Sequence, residues 1–295
     1  MAEMGQLAEA PRAQTPATVP LSPEPLTRYR HRVRFRESMP ELWRARTLVG
    51  RLAVRQLKSR YRRAILGFGW AIVTPVALTL TFTFILSRVI KVPTAGVPYP
   101  IFFYVGLLAW TFFANAIGTG SGSLLENMGL LKRAYVTREV FPLATIVVAV
   151  VDFATAAAVL LVMLPLFHFM PRITAFWVPL YLFVQVAFTT GVVLFTATAV
   201  VYVRDVRHII PLGIQVGIFA TPVVYGLSQV PERFRLLMVA VNPLAEVIDG
   251  YRRSLLYGQG PDWTYFSVSL ATAVVVLVAG YWAFKRMEDG VADIS

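Results

Sequence analysis

A chain of 295 residues that is 57% apolar, with a mean hydropathy of +0.62, is too apolar for an ordinary soluble domain. With no cysteine, it has no disulfide, no thiolate metal site and no cysteine nucleophile, and its three histidines (His31, His168, His208) lack ligand spacing. The net charge of +12 is lopsided: the first 66 residues hold 14 of the 28 Lys/Arg but 5 of the 16 Asp/Glu. Such a block beside an apolar run suits anionic lipid headgroups, at about 1 kcal/mol per basic side chain, better than nucleic acid.

Residues 1–39 read as a disordered, basic cytoplasmic tail; 1–27 are rich in Ala, Pro, Glu and Gln and hold no signal-peptide core. Over 40–63, Leu42, Ala45, Val49 and Leu52 recur at helical spacing against basic residues. That pattern predicts an amphipathic helix in the membrane interface. The remainder, 64–285, predicts an all-α integral membrane domain with six spans, at about 67–89, 100–119, 140–164, 174–202, 209–226 and 264–284. The N-terminal basic block places that end in the cytoplasm, and an even number of spans returns the 286–295 tail there too. Outside that block the basic residues divide evenly, 7 to 7, between the two sides. Orientation therefore rests almost wholly on the block.

On the second span Tyr99, Phe103, Gly106, Trp110 and Phe113 share one helix face. The stripe fits either ordinary packing or a path along which sugar rings stack on aromatics. Asn115 follows on the same span. Asp152 falls mid-way along the third span, where an acid is costly. A proton relay needs several such groups, so a structural hydrogen-bonding role is the better reading, with Asn115, Gln185 and Gln215 as possible partners. The link 120–139 ends in charges. Residues 230–258 are too charged to span and predict two short helices broken at Asn242-Pro243, re-entering from the outer side as a gate or lying there as a platform. On the second of these, Asp249 precedes Arg252 and Arg253 in a favourable order for ion pairs.

No phosphate-gripping G-x-x-x-x-G-K-[ST] exists, because none of the four lysines (58, 91, 132, 285) follows a glycine. If ATP drives this chain, another chain binds it. A passive channel or scaffold needs no such partner. A membrane glycosyltransferase would carry an acidic cluster, whereas Asp205 and Asp249 stand in basic surroundings.

Three stretches together resemble one family: Arg55–Trp70 with Pro75; Gly106–Asn115; and Arg204–His208 followed by Thr221–Tyr225, Val230-Pro231, Asn242-Pro243 and Tyr251-Arg252. The chain looks like the membrane subunit of ATP-binding-cassette exporters of polysaccharides and polyol phosphates, over roughly residues 40–285. The resemblance implies a multi-pass permease of the bacterial plasma membrane. It would act as a homodimer with two nucleotide-binding subunits, which carry the ATP and magnesium, and this chain would need no cofactor. The implied substrate is a lipid-linked glycan of the O-antigen, galactan or teichoic-acid type; a small hydrophobic drug is the alternative for the same architecture. By resemblance Arg55, Arg60 and Tyr61 border the cytoplasmic entrance. Glu126, Lys132, Arg133 and Arg138 contact the motor subunit. Tyr99, Phe103, Trp110, Phe113 and Asn115 line the channel. Asn242, Asp249, Tyr251 and Arg252 belong to the outer gate.

Overall fold

The computed structural model describes residues 35–62, 67–86, 92–131, 137–170 and 172–291. The described residues contain α-helices and short 3-10 or π turns and no strand. The helices are α1 (Phe35–Tyr61), α2 (Trp70–Ile85), α3 (Tyr99–Gly120), α4 (Ser123–Glu126), α5 (Met128–Leu131) and α6 (Val140–Leu166). They continue with α7 (Val178–Tyr202), α8 (Val206–Ala220), α9 (Glu232–Val241), α10 (Leu244–Arg252) and α11 (Trp263–Val291). Residues 1–34 of the predicted 1–39 tail, like Lys132 and Arg133, lie outside the described residues.

Four segments are long and apolar enough to cross a membrane: Tyr99–Gly120, Val140–Leu166, Ile173–Tyr202 and Trp263–Met287. The other two expected spans appear as shorter apolar helices, α2 and α8. The helix expected at 209–226 stops at Ala220 because Pro222 follows, and a residue before proline is forced out of the helical region. Thr221 has ψ 144° accordingly. Helix α1 begins at Phe35, ahead of the expected start at Pro40, and α11 runs beyond the expected end at 284.

Helix α3 is the centre of the bundle. Its Phe102, Phe103, Tyr104 and Phe112 are fully buried among α2, α6, α7 and α10. In lipid, such burial gains close packing and hydrogen bonding rather than dehydration. Tyr104 Oη accordingly donates to the Ala156 carbonyl of α6 at 3.0 Å, and Gln185 Nε2 of α7 donates to the Ala109 carbonyl at 2.9 Å. The longest seam joins α7 to α11. There a Cβ on Gly280 would fall 2.1 Å from the Gly191 carbonyl oxygen, so only glycine permits the approach. Large apolar side chains face outward on α2 (Leu80, Phe84) and α8 (Ile209, Leu212, Val216, Phe219), as a lipid-facing surface requires.

A second cluster gathers where α6 begins and α3, α7 and α11 end. Ala45, Leu48, Val49, Leu52, Ala53 and Leu57 of α1 pack there against Val140, Phe141, Ala144 and Val148 of α6. The apolar stripe read from the sequence is the contact face of α1. Glu139 is buried in this region and pairs with Lys285 of α11.

Candidate functional site

Because α1 runs alongside the first half of α6, its last turn reaches the middle of that helix. Arg60 Nη1 donates to Asp152 Oδ2 at 2.6 Å. The side chains are 32% and 10% exposed, so the pair is open on the arginine side. It borders a cleft of about 340 Å³ walled by α2, α3 and α6, whose lining includes Trp70, Thr74, Thr111, Asn115 and Phe153. The Asn115 amide is exposed and makes no hydrogen bond among the described residues. A second, wider groove of about 800 Å³ runs along α1 itself, lined by Arg51, Arg55, Lys58 and Arg62. These recur at three- and four-residue intervals and form a single basic face. Arg60, two residues from both Lys58 and Arg62, falls on the other side of α1 from that face, so the basic face and the cleft are separate features of one helix end.

At the far end of the bundle lies the opposite arrangement. Arg252 is 1% exposed. Among the described residues its hydrogen-bond partners are carbonyls and not carboxylates: Nη1 donates to Pro222 and Tyr225 at 2.8 Å, Nη2 to Val223 at 2.6 Å and Nε to Phe102 at 3.2 Å. The guanidinium also sits 3.6 Å from the Phe102 ring centroid. Pro222 ends α8 and frees carbonyls, and Arg252 collects them, pinning the segment after α8 to the start of α3. Burial pulls the Arg252 pKa down to about 10, with Asp249 opposing, so the group remains charged at neutral pH. A Cβ on Gly106 would meet Arg252 Nη2 at 2.6 Å and the Val223 carbonyl oxygen at 2.9 Å, which is why glycine stands there.

Several expectations change in place or partner. Asp152 finds a partner in Arg60, from outside the predicted spans. Of the groups expected around it, Asn115 lines the same cleft, Gln215 is exposed, and Gln185 belongs to another network, accepting from Tyr251 Oη at 2.7 Å. The expected ion pairs from Asp249 to Arg252 and Arg253 do not form: Arg252 turns to the carbonyls, and Arg253 Nε donates to the Gly260 carbonyl at 3.2 Å. Burial pushes the Asp249 carboxyl up, partly offset by both arginines. Tyr99, Phe103 and Trp110 are core residues: Phe103 stacks on Phe82, Trp110 covers Gly217, and Tyr99 Oη donates to the Val224 carbonyl at 3.0 Å. Packing accounts for those three as folded, while Phe113 is part-exposed and stacks on Phe188.

Asn242 does break α9 from α10. Its Nδ2 donates to Thr221 Oγ1 at 2.7 Å, and its Oδ1 accepts from the Leu244 amide at 3.2 Å. Helix α10 is buried on several faces, Glu246 and Arg252 included, and so is no surface platform. Glu126 is exposed at the end of α4, Arg55 is exposed on the basic face, and Arg138 is part-buried just before α6. Tyr61 closes α1. Sequence reasoning missed Arg51, Lys58 and Arg62 as members of the basic face, though their three- and four-residue spacing was readable. It also missed Gly106 as the seat of a guanidinium, for which no local signal exists.

The sequence profile described as "ABC-2 type transporter" matches residues 47–256. The chain belongs to that family. The match takes in all of the basic face, the Arg60–Asp152 cleft and the Arg252 clamp, and leaves α11 outside. Within the wider set of ABC-2 type proteins, the chain is 29% identical over 255 residues to the O-antigen export system permease protein RfbA of Myxococcus xanthus, covering 86% of this chain and 97% of that protein. It is 28% identical to RfbA of Klebsiella pneumoniae over 241 residues, 81% and 92% of the two chains. Similarity to the polysialic acid transport protein KpsM of Escherichia coli is lower, 20% over 246 residues, with the same coverage.

Proposed function

We propose that this chain is the membrane-spanning permease subunit of an ATP-driven exporter that moves a lipid-linked polysaccharide across the bacterial plasma membrane. The observation that carries the reading is the near full-length similarity to permeases of O-antigen export, with a polysialic acid transporter as a more distant relative. The geometry supports it: α1 carries a basic face, and on its other side Arg60 borders a cleft that joins hydrogen-bonding groups to apolar walls, as a charged headgroup on a lipid tail requires.

In this reading α2 and α8 complete six crossings, both termini are cytoplasmic, and α1 lies at the inner interface in contact with anionic lipids. Two copies assemble with two nucleotide-binding subunits, which bind ATP and magnesium. The segment carrying Glu126, Lys132, Arg133 and Arg138 receives their motion. The buried Glu139–Lys285 pair ties its end to α11. Arg55, Arg60 and Tyr61 meet the headgroup. Phe113 and Asn115 form the near wall of the path on α3, backed by Tyr99, Phe103 and Trp110. Asn242, Asp249, Tyr251 and Arg252 hold the outer gate.

The test is purification from native membranes in mild detergent, with co-purifying chains weighed by mass spectrometry. An ATP-binding-cassette subunit at a one-to-one ratio, with ATPase activity, is the expected result. A chain that purifies alone, without ATPase, would return it to a passive channel or scaffold. Deleting the gene should leave the lipid-linked glycan inside; an unchanged glycan with raised drug sensitivity would point to drug export instead.

A further inference from the structure

Among the described cations of α1, Arg60 is the one that pairs with an acid of another helix. Arg51, Arg55, Lys58 and Arg62 stay exposed and make no ion pair among the described residues. Arg60 is turned onto α6, where Asp152 meets it at 2.6 Å. An acid in the middle of an apolar span is costly on its own and needs a compensating charge. The arginine's planar fork also matches a phosphate better than it matches one carboxylate oxygen. Its side chain is about three times as exposed as that of Asp152, so the guanidinium is approachable while its partner is not. The unpaired Asn115 amide lies on the same cleft and can donate to a second anionic oxygen.

We infer that Asp152 is a resident counter-ion for Arg60, standing in for the phosphate of an incoming lipid, and that it sets which headgroups the cleft admits. The inference rests on the reading that an anionic lipid enters beside α1. An entering headgroup must displace the carboxylate oxygen to take the guanidinium. A diphosphate, with more than one charge and several acceptor oxygens, competes well. A singly charged phosphodiester such as phosphatidylglycerol competes poorly. Asp152 thereby keeps the bulk anionic lipid of the membrane out of the site. It is a specificity residue that acts through Arg60. A site whose competent form is only partly populated binds more weakly in proportion, so removing the internal competitor tightens binding.

The test is equilibrium binding of radiolabelled farnesyl diphosphate to the purified full chain in nanodiscs, with farnesol, inorganic pyrophosphate and phosphatidylglycerol as competitors. Wild type should bind farnesyl diphosphate and resist phosphatidylglycerol. Asp152→Asn should bind it about tenfold tighter, the size of change expected when a close competing charge is removed, and should lose resistance to phosphatidylglycerol. Arg60→Gln should lose binding with or without Asp152→Asn. Unchanged affinity and selectivity in Asp152→Asn, alongside loss in Arg60→Gln, would overturn the counter-ion role while leaving Arg60 as the headgroup ligand. No binding to wild type would defeat the entry reading and this inference with it. Equal competition by inorganic pyrophosphate would assign the cleft to a free phosphate and overturn the lipid claim. The double exchange Arg60→Asp with Asp152→Arg guards against misfolding. If it assembles while Asp152→Asn and Asp152→Ser do not, the pair is structural and the inference falls.

Discussion

Two arginines tie distant helices of this bundle together, and their partners differ in kind. Arg252 is sealed, and its acceptors are main-chain carbonyls that cannot leave. Arg60 is part-open, and its acceptor is a side-chain carboxylate beside a cleft. A carbonyl cage satisfies a guanidinium permanently and fixes backbone, so Arg252 is a clamp. A carboxylate facing an open cleft can be exchanged for another anion, so Arg60 suits binding. The same side chain thus serves stability at one end and, on the function proposed above, recognition at the other, and the nature of the acceptor decides which.

The largest expected effect comes from breaking the clamp. Arg252→Met keeps most of the volume but leaves several carbonyls without donors, each worth about 1–3 kcal/mol when buried. The thermal midpoint in detergent should collapse, with the chain recovered mainly as aggregate. Arg252→Lys should restore only part of the loss, because one ammonium cannot span carbonyls on two segments; full rescue would show that charge alone matters.

Crowding the same clamp from the α3 side should do less. Gly106→Ala sets a methyl against Arg252 Nη2 and the Val223 carbonyl, and overpacking of this kind costs about 1–3 kcal/mol. A midpoint identical to wild type would mean that the guanidinium is freer to shift than its contacts imply.

A third change separates the clamp from its acidic neighbour on α10. Glu246 is fully buried, and among the described residues its carboxyl oxygens make no hydrogen bond of good geometry, with the Tyr181 hydroxyl as their polar neighbour. Burial pushes its pKa up to about 9, Asp249 adds to the rise, and Arg253 opposes it. Between the ordinary value of 4.5 and about 9, the folded chain keeps a proton that the unfolded chain has released. Stability therefore falls as pH rises through that window. Glu246→Gln should flatten this decline and raise the midpoint at its alkaline end. An equally steep decline in the variant would place the titrating group elsewhere.

The smallest effect on stability belongs to the open pair. Replacing both partners, Arg60→Gln with Asp152→Asn, should cost about 1 kcal/mol or less, because neither change then strands a charge in the span, while sharply reducing glycan export in cells. A large stability loss with normal export would erase the distinction between the two arginines.

Much of the fold was legible because membrane spans announce themselves through long apolar runs. The bounds of α3, α6, α7 and α11 lie close to those read from composition. The amphipathic stripe of α1 and the break at Asn242 were likewise visible. The helix expected at 209–226 was read too long at its end, since a proline acts more sharply than hydropathy suggests. The site was legible in residue types and not in pairing. Asp152 was singled out as an isolated acid and Arg60 as an entrance cation, yet 92 positions separate them and nothing local joins them. The aromatic stripe on α3 shares one face, as its spacing requires, but spacing cannot say whether that face meets a path or a neighbouring helix. Here it meets α2 and α8.

The sequence by itself determined the class of molecule: an all-helical membrane chain with a basic N-terminal block and no phosphate-gripping loop. These follow from composition and from the 3.6-residue period, which are local properties. Only the tertiary structure decided that α1 runs along α6 until Arg60 reaches Asp152, and that Arg252 turns from Asp249 to the carbonyls beyond Pro222. A guanidinium chooses its partner by where helices distant in sequence bring their acceptors, and that choice is made in packing.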